Sequence, residues 1–284
     1  MAENKSGLVL VNKPEGVSSN KVVNIVKHAL GAKKCGHLGT LDLEGAGLLI
    51  VTVNSATKLF DFFLNKSKTY ETVFVFGFET DTLDLAGKIV KEKPCKLSKE
   101  EVESAAKEMV GDYDQMPPQY SAKKVNGKIA YKEARSGRQV ELRPKRVSIF
   151  SFKLLKQLDD NKFKFEICCS SGTYIRSICR DLAEKLSTYG SMQCILRTRC
   201  GSFSLEDAYS LEDVKNGNFE VLSCESLFDF PKIDLEKVDA TKLLNGQFLK
   251  LSRENGEYKL FDGKTFLGIG EIKENVLRLK LRLI

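Results

Sequence analysis

Histidine is scarce in this chain of 284 residues: only His28 and His37 occur. None of the eight cysteines (35, 95, 168, 169, 179, 194, 200 and 224) stands in a Cys-x-x-Cys pair. Zinc-ligand spacing is therefore missing, and Ser/His/Asp catalysis has almost no histidine to draw on. No apolar run approaches the ~18 residues of a membrane-spanning helix. No Gly-x-Gly-x-x-Gly opens a helix; Gly45-Ala-Gly47 leads into a strand instead, which argues against a dinucleotide site. Gly263-Lys-Thr265 has the ending of a phosphate-binding loop, but Tyr258 stands where that loop needs glycine. Internal repeats and low-complexity segments are also missing. Cysteines scattered through core-like segments, behind a polar start, point to a reducing, cytoplasmic setting. The sequence reading thus expects no metal, no cofactor and no membrane.

What is present is ordinary in bulk. Hydrophobic residues make up 42% and charged residues 29%, the balance of a globular protein with a real core. Lys plus Arg exceeds Asp plus Glu by 45 to 38, a net charge of +7. That excess suits an anionic partner, though it serves solubility equally well. It is concentrated in Lys123, Lys124, Lys128, Lys132, Arg135 and Arg138, with Tyr120 and Tyr131 interleaved. This stretch reads as a phosphate-tracking surface or, with the same residues, as a solvated helix face.

Along the chain, Gly7-Leu-Val-Leu-Val11 reads as a buried strand. Ser18 or Ser19 can cap a helix carrying Val22, Ile25, Val26 and Leu30, which Gly31 ends. Residues 47–53 form a strand, roughly 55–64 a helix, and 68–78 a long strand buried in part on both faces. Ser98 and Glu101 make a capping box for a helix running to Val110 and closed by Gly111. Strands over 145–158 and 162–170 flank the turn Asp159-Asp160-Asn161. Ile175, Ile178, Cys179, Leu182 and Leu186 share one helical face. Arg176 falls in the first turn of that helix, where a cation opposes the helix dipole. Either it has an anionic partner elsewhere or it snorkels at the surface. Another strand covers 195–203, short helical pieces follow over 205–235, and four short strands end the chain.

The centre of the chain is Gly36-His-Leu-Gly-Thr-Leu-Asp42. Two glycines allow a tight turn and close approach by another molecule. Asp42 reads locally as a turn or cap residue. With metal and nucleotide motifs missing, a nucleophilic aspartate is the economical chemistry.

Five ordered pieces between about residues 7 and 207 carry a resemblance. They are Asn12-Lys-Pro-Glu-Gly16 with Ser18, and Gly36 to Asp42. Next come Lys68-Thr-Tyr70 with Thr80-Asp-Thr-Leu-Asp84 and Gly87, then Gln115-Met-Pro-Pro118 with Ser121-Ala-Lys123, Gly127 and Tyr131. The last is Gly172-Thr-Tyr-Ile-Arg176. Together they resemble the bacterial-type tRNA pseudouridine-55 synthases, which isomerise a uridine in the T-loop of tRNA. The resemblance implies an α+β fold: a mixed, mostly antiparallel central sheet with flanking helices over 1–230, the pseudouridine synthase fold. A small β-rich, PUA-like RNA-binding domain over 235–284 would follow.

By the same resemblance Asp42 is the catalytic aspartate. Tyr70 packs on the target base and serves as a base toward the sugar, and Arg176 pairs with the aspartate. His37, Tyr174 and Leu196 contact substrate. The implied partner is the T-arm of tRNA, the implied state a monomer. Competing readings are an RNA-folding chaperone and a synthase acting on another RNA. There are two departures. Leu43-Glu44 follows Asp42 where the family has proline, implying a less rigid loop with a like charge beside the aspartate. Leu196-Arg-Thr-Arg199 separates two arginines that members often keep adjacent.

Overall fold

The computed structural model describes residues 6–64, 66–120, 124–125, 128–129 and 141–284. The cationic stretch from Lys123 to Arg138, with Tyr131, and the motif residues Ser121, Lys123, Gly127 and Tyr131, lie outside the described residues. The exceptions are the backbones of Lys124–Val125 and Lys128–Ile129, which pair as a short hairpin.

Among the described residues, eleven strands form one mixed sheet. Its main path runs Tyr209–Ser210, Gly7–Lys13, Ala46–Val53, Gly190–Cys200, Lys68–Phe76, Lys162–Cys169, Lys145–Asp159 and Gly111–Gln115. Two of its described pairings are parallel: Tyr209–Ser210 on Gly7–Lys13, and Gly190–Cys200 on Ala46–Val53. The rest are antiparallel, as the sequence reading expects. The second parallel seam is narrow, with two paired positions, Leu196 with Ala46 and Arg197 with Gly47. It divides the sheet into two halves with different cores.

In the first half both faces are covered, which explains the continuous apolar runs of Gly7–Lys13 and Ala46–Val53. Leu8, Leu10, Leu48 and Ile50 pack on Ala56, Leu59 and Phe63. Val9, Val11, Leu49 and Val51 pack on the helix Ser19–Leu30 through Val22 and Val26. Ser18 caps that helix and left-handed Gly31 ends it. In the second half Phe74, Phe76, Phe163 and Phe165 bury one face, each contributing roughly 1.5–3 kcal/mol. The helices Lys99–Glu108 and Ile175–Lys185 cover them. The opposite face carries surface ion pairs such as Lys164–Glu71 at 2.6 Å, which add little stability.

Several boundaries differ from the sequence reading. The expected helix over 55–64 is a 3-10 turn over Asn54–Leu59 followed by the short helix Phe60–Leu64. The long strand stops at Phe76, because Gly77 adopts φ +109° and turns the chain into a separate ribbon, Phe78–Thr80 with Ile89–Glu92. The Ser98/Glu101 capping box is present, but its helix ends at Glu108, and Gly111 opens a strand instead of closing the helix.

At the C-terminal end, five strands form a second sheet in the order Lys232–Leu235, Gly256–Asp262, Thr265–Lys273, Val276–Arg282, Leu249–Lys250. The helix Lys237–Leu244 covers it, an element absent from the sequence reading. The helix is short, and its N-cap, Glu236, makes no side-chain cap bond. Ile269 and Leu283 of this unit join the same apolar cluster as Leu8, Leu48 and Ile50. Lys58 donates to the Arg282 carbonyl at 2.9 Å across the junction.

The narrow seam depends on Gly47, whose φ is +101°; a Cβ there would stand 2.4 Å from the Arg197 carbonyl oxygen. Gly31 has φ +58° with nothing within 4 Å. Gly47→Ala should therefore destabilise by more than about 2 kcal/mol, and Gly31→Ala by about 1 kcal/mol. Urea unfolding of the two variants checks the order; equal losses would contradict it.

Candidate active site

Asp42 is delivered by a loop fixed on both sides of it. Ser19 Oγ accepts from the Leu41 amide at 3.0 Å and donates to the Leu41 carbonyl at 2.8 Å. The Leu43 carbonyl accepts from the Gly16 amide at 2.8 Å and from Lys13 Nζ at 3.3 Å. Lys13 is wholly buried, and its ammonium also donates to the carbonyls of Val17 and Pro14, at 2.6 and 3.0 Å. Burial lowers its pKa, opposed by the charges of Glu44 and Asp42. The flexibility expected from Leu43-Glu44 is thus countered: backbone anchors hold the position where the family has proline.

Arg176 lies in the first turn of Ile175–Lys185, at the rim of the second core. The anionic partner its awkward position suggests is present twice over. Arg176 Nη2 reaches Asp42 Oδ2 at 2.9 Å, and Nη1 reaches Asp84 Oδ2 at 3.3 Å. The fork also donates to the carbonyls of Thr82 at 2.9 Å and Tyr120 at 3.0 Å. A cation this deep needs such partners. Its side chain is 9% exposed, while that of Asp42 is 59% exposed. The pair is therefore anchored at one end and open at the other.

The start of that helix is held from outside. Tyr174 is its N-cap residue and makes no side-chain cap bond. Gln115, 1% exposed, takes over: its Oε1 accepts from the Tyr174 amide at 2.8 Å and its Nε2 donates to the Tyr174 carbonyl at 3.2 Å. The Met116 carbonyl accepts from Ser177 Oγ and Arg180 Nη2, each at 2.9 Å. Residues 115–120 thus strap the helix end that carries Tyr174 and Arg176.

A cavity of about 280 Å³ opens at the seam of the sheet. Asp42, Tyr70, Tyr174 and Arg176 line it, so the structure brings these four expected residues together. Tyr70 packs against the cores of both halves. Burial pushes its phenol up to about 12, with Arg197 pulling the other way. The hydroxyl is therefore un-ionised at neutral pH. Arg197, 2% exposed, braces the seam by donating to the carbonyls of Leu48 at 2.7 Å and Gly39 at 3.1 Å.

Two expected residues stand apart from the cavity. Leu196 does not line it; its neighbours Ile195 and Arg197 do. Successive strand side chains face opposite ways, so a slip of one residue changes the face. His37 sits on the short strand Cys35–His37, paired with Val51, and is also outside the lining. Its Nδ1 is buried with no partner among the described residues. Burial, and then Arg197, lowers its pKa, which keeps the imidazole neutral. Asp84, Gln115, Lys68, Ile195 and Arg197 were not singled out as site residues from the sequence. Lys68, Asp84 and Gln115 stand inside the motifs that carry the resemblance, which was the available signal.

The arrangement offers a carboxylate with one engaged oxygen, a neutral phenol, and an apolar wall from Ile195 and Met192. Its volume suits a single ring-sized group. Among the described residues no group of His, Cys, Asp and Glu is arranged to hold a metal ion.

Two family models match the chain. "TruB family pseudouridylate synthase (N terminal domain)" covers residues 27–175 and "Pseudouridine synthase II TruB, C-terminal" covers 231–281. The tRNA pseudouridine synthase B of Caldanaerobacter subterraneus subsp. tengcongensis is 39% identical over 278 residues, spanning 96% of this chain and 98% of that protein. The Aquifex aeolicus protein of the same name is 38% identical, with 98% and 99% spanned. Among solved structures, a Cbf5-Nop10-Gar1 complex contains a chain with the same fold. Its TM-score is 0.70 at 18% identity, covering 98% of this chain and 85% of that one.

The strap gives a direct test. Gln115→Met fills the same space but leaves the Tyr174 amide unpaired, while the Tyr174 carbonyl keeps the Ile178 amide at 3.0 Å, so stability should fall by about 1–3 kcal/mol. A melting temperature within a degree of wild type would contradict the capping role.

Proposed function

Because the chain belongs to the TruB family of pseudouridylate synthases, we propose that it isomerises uridine 55 in the T-loop of tRNA to pseudouridine, with Asp42 as nucleophile. The observation that carries this reading is the ion pair of a half-open Asp42 with a buried Arg176 on the wall of a nucleoside-scale cavity. The T-arm stem-loop is the feature recognised, and the chain acts as a monomer. The cytoplasm is its setting, a compartment that suits eight free cysteines. No helix among the described residues is long and apolar enough to cross a membrane. Residues 1–230 form the catalytic unit, and the PUA-like 235–284 unit adds RNA contacts.

The target base is stacked inside a folded RNA loop and must turn out to react. Tyr70 and Tyr174 offer aromatic faces to an unstacked uracil, with Ile195 closing the apolar wall. Arg176 holds Oδ2 of Asp42, which leaves Oδ1 to address the ribose. The N1–C1′ bond breaks, the base rotates, and a C5–C1′ bond forms. The proton leaving C5 is balanced by the one gained at N1, so no oxidant or group donor enters. Tyr70 meets the sugar un-ionised; it packs and donates before it can take a proton. His37 and Leu196, outside the cavity lining, contact the RNA around the extruded nucleotide.

Incubation with an unmodified tRNA transcript, followed by position-by-position mapping of pseudouridine, tests the reading. One modified position, in the T-loop, is expected; product elsewhere points to another RNA, and binding without product points to a folding chaperone. Asp42→Asn should abolish turnover while leaving tRNA affinity within a few-fold of wild type. Substantial turnover in that variant removes Asp42 from the chemistry. Tyr70→Phe should cut the rate severely, and a wild-type rate would show that the hydroxyl is dispensable.

A further inference from the structure

Most cations at the cavity are already engaged. Arg176 lies between two carboxylates. Arg197 is used by two carbonyls. The Lys68 ammonium donates to the carbonyls of Lys66 at 2.7 Å and Phe63 at 3.3 Å. Lys145 is different. It begins the strand Lys145–Asp159, is exposed, and forms no ion pair among the described residues. Its single described side-chain bond is a long one, 3.4 Å to the Ser171 carbonyl.

Its position is specific. Ser171 and Gly172 line the cavity, and the ammonium rests directly over Gly172. A Cβ at residue 172 would stand 2.1 Å from Lys145 Nζ, and Gly172 itself has φ +78°. Glycine thus makes both the turn and the space into which the lysine reaches. The lowered pKa of Lys68 stems first from burial, with repulsion from Arg197 and Lys145 among the smaller causes, so the charge of Lys145 is felt at the cavity floor.

We propose that Lys145 is a phosphate clamp, its ammonium taking one of the two phosphates that flank the target nucleotide as that nucleotide turns into the cavity. This rests on the pseudouridine-synthase reading and adds a binding contact to it. A base and sugar drawn into the cavity bring their flanking phosphates to its mouth. Uracil and ribose are met by aromatic, apolar and carboxylate groups. The phosphates need a cation, and Lys145, without a counter-charge among the described residues, stands beside the lining residues Ser171 and Gly172. A lysine serves there as a point charge without demanding bidentate geometry. The clamp fixes position and carries no information about base identity.

The test uses the full chain and an unmodified T-arm stem-loop. Lys145→Ala should raise KM by roughly three- to tenfold, the scale of a charge-assisted contact at an exposed rim, with kcat within about twofold. The slope of log affinity against log salt should become shallower by about 0.7–0.9, one phosphate's share. Lys145→Arg should restore both. Stem-loops carrying a methylphosphonate on one or the other side of the target uridine locate the contact. At one side the neutral linkage should raise KM for wild type and have no further effect on Lys145→Ala. Unchanged KM and salt slope in Lys145→Ala, or methylphosphonate effects additive with it at both sides, would overturn the clamp. Wild-type product on the unsubstituted stem-loop keeps the two questions apart: without it the underlying reading fails, and with it only the clamp is at stake.

Discussion

A single buried guanidinium organises this molecule. Arg176 is drawn into the rim of a hydrophobic core, and its charge is tolerable there only because two carboxylates and two carbonyls converge on it. Arg176 and Asp84 are both largely buried, and breaking a buried ion pair typically costs about 3–5 kcal/mol, so the segments that carry these two are not free to move independently. The loop bearing Asp42, the turn bearing Asp84 and the strap ending at Tyr120 all meet at one helix end. Asp84 matters here because its carboxylate, 17% exposed, pairs with the cation independently of the more open Asp42. A guanidinium matched to Asp42 alone would depend on a carboxylate that is 59% exposed.

The sheet supplies the other half of the constraint. Its halves touch through two paired positions, and the cavity lies where they part. Arg197 spans the gap through backbone carbonyls, while Tyr70 rests on both cores at once. The ring is therefore held by packing on two sides, and the same packing that orients it keeps its hydroxyl protonated.

Much of this was legible in the residues. Period-two and helical patterns located the main strands and helices. The dipole-opposed placement of Arg176 allowed either a partner charge or a surface arginine, and the partner charge is what the structure holds. Four of the six expected site residues, Asp42, Tyr70, Tyr174 and Arg176, line one cavity. Leu196 shows why the rest was harder. A strand states which residues alternate but not which set faces inward until its neighbours are known, and Ile195 and Arg197 took the inner face. The roles of Gln115 and Ser19 were hidden for a related reason, although Gln115 stood in a motif and Ser19 read as a possible helix cap. Their work is done on the backbone of residues 59 and 22 positions away, and such long-range pairings leave no local pattern. The 3-10 turn at Asn54–Leu59 and the helix Lys237–Leu244 are short elements shaped by tertiary packing rather than by propensity.

The C-terminal unit deserves a different description from a module on a string. Ile269 and Leu283 are buried in the same interior as Leu8, Leu48 and Ile50, and Lys58 fastens the last strand to the body. An apolar seam of this kind ties the two parts together through a shared interior. It also fixes the span between the cavity and the C-terminal sheet. A molecule long enough to touch both meets them at one separation, set by side-chain packing rather than by the reach of a linker.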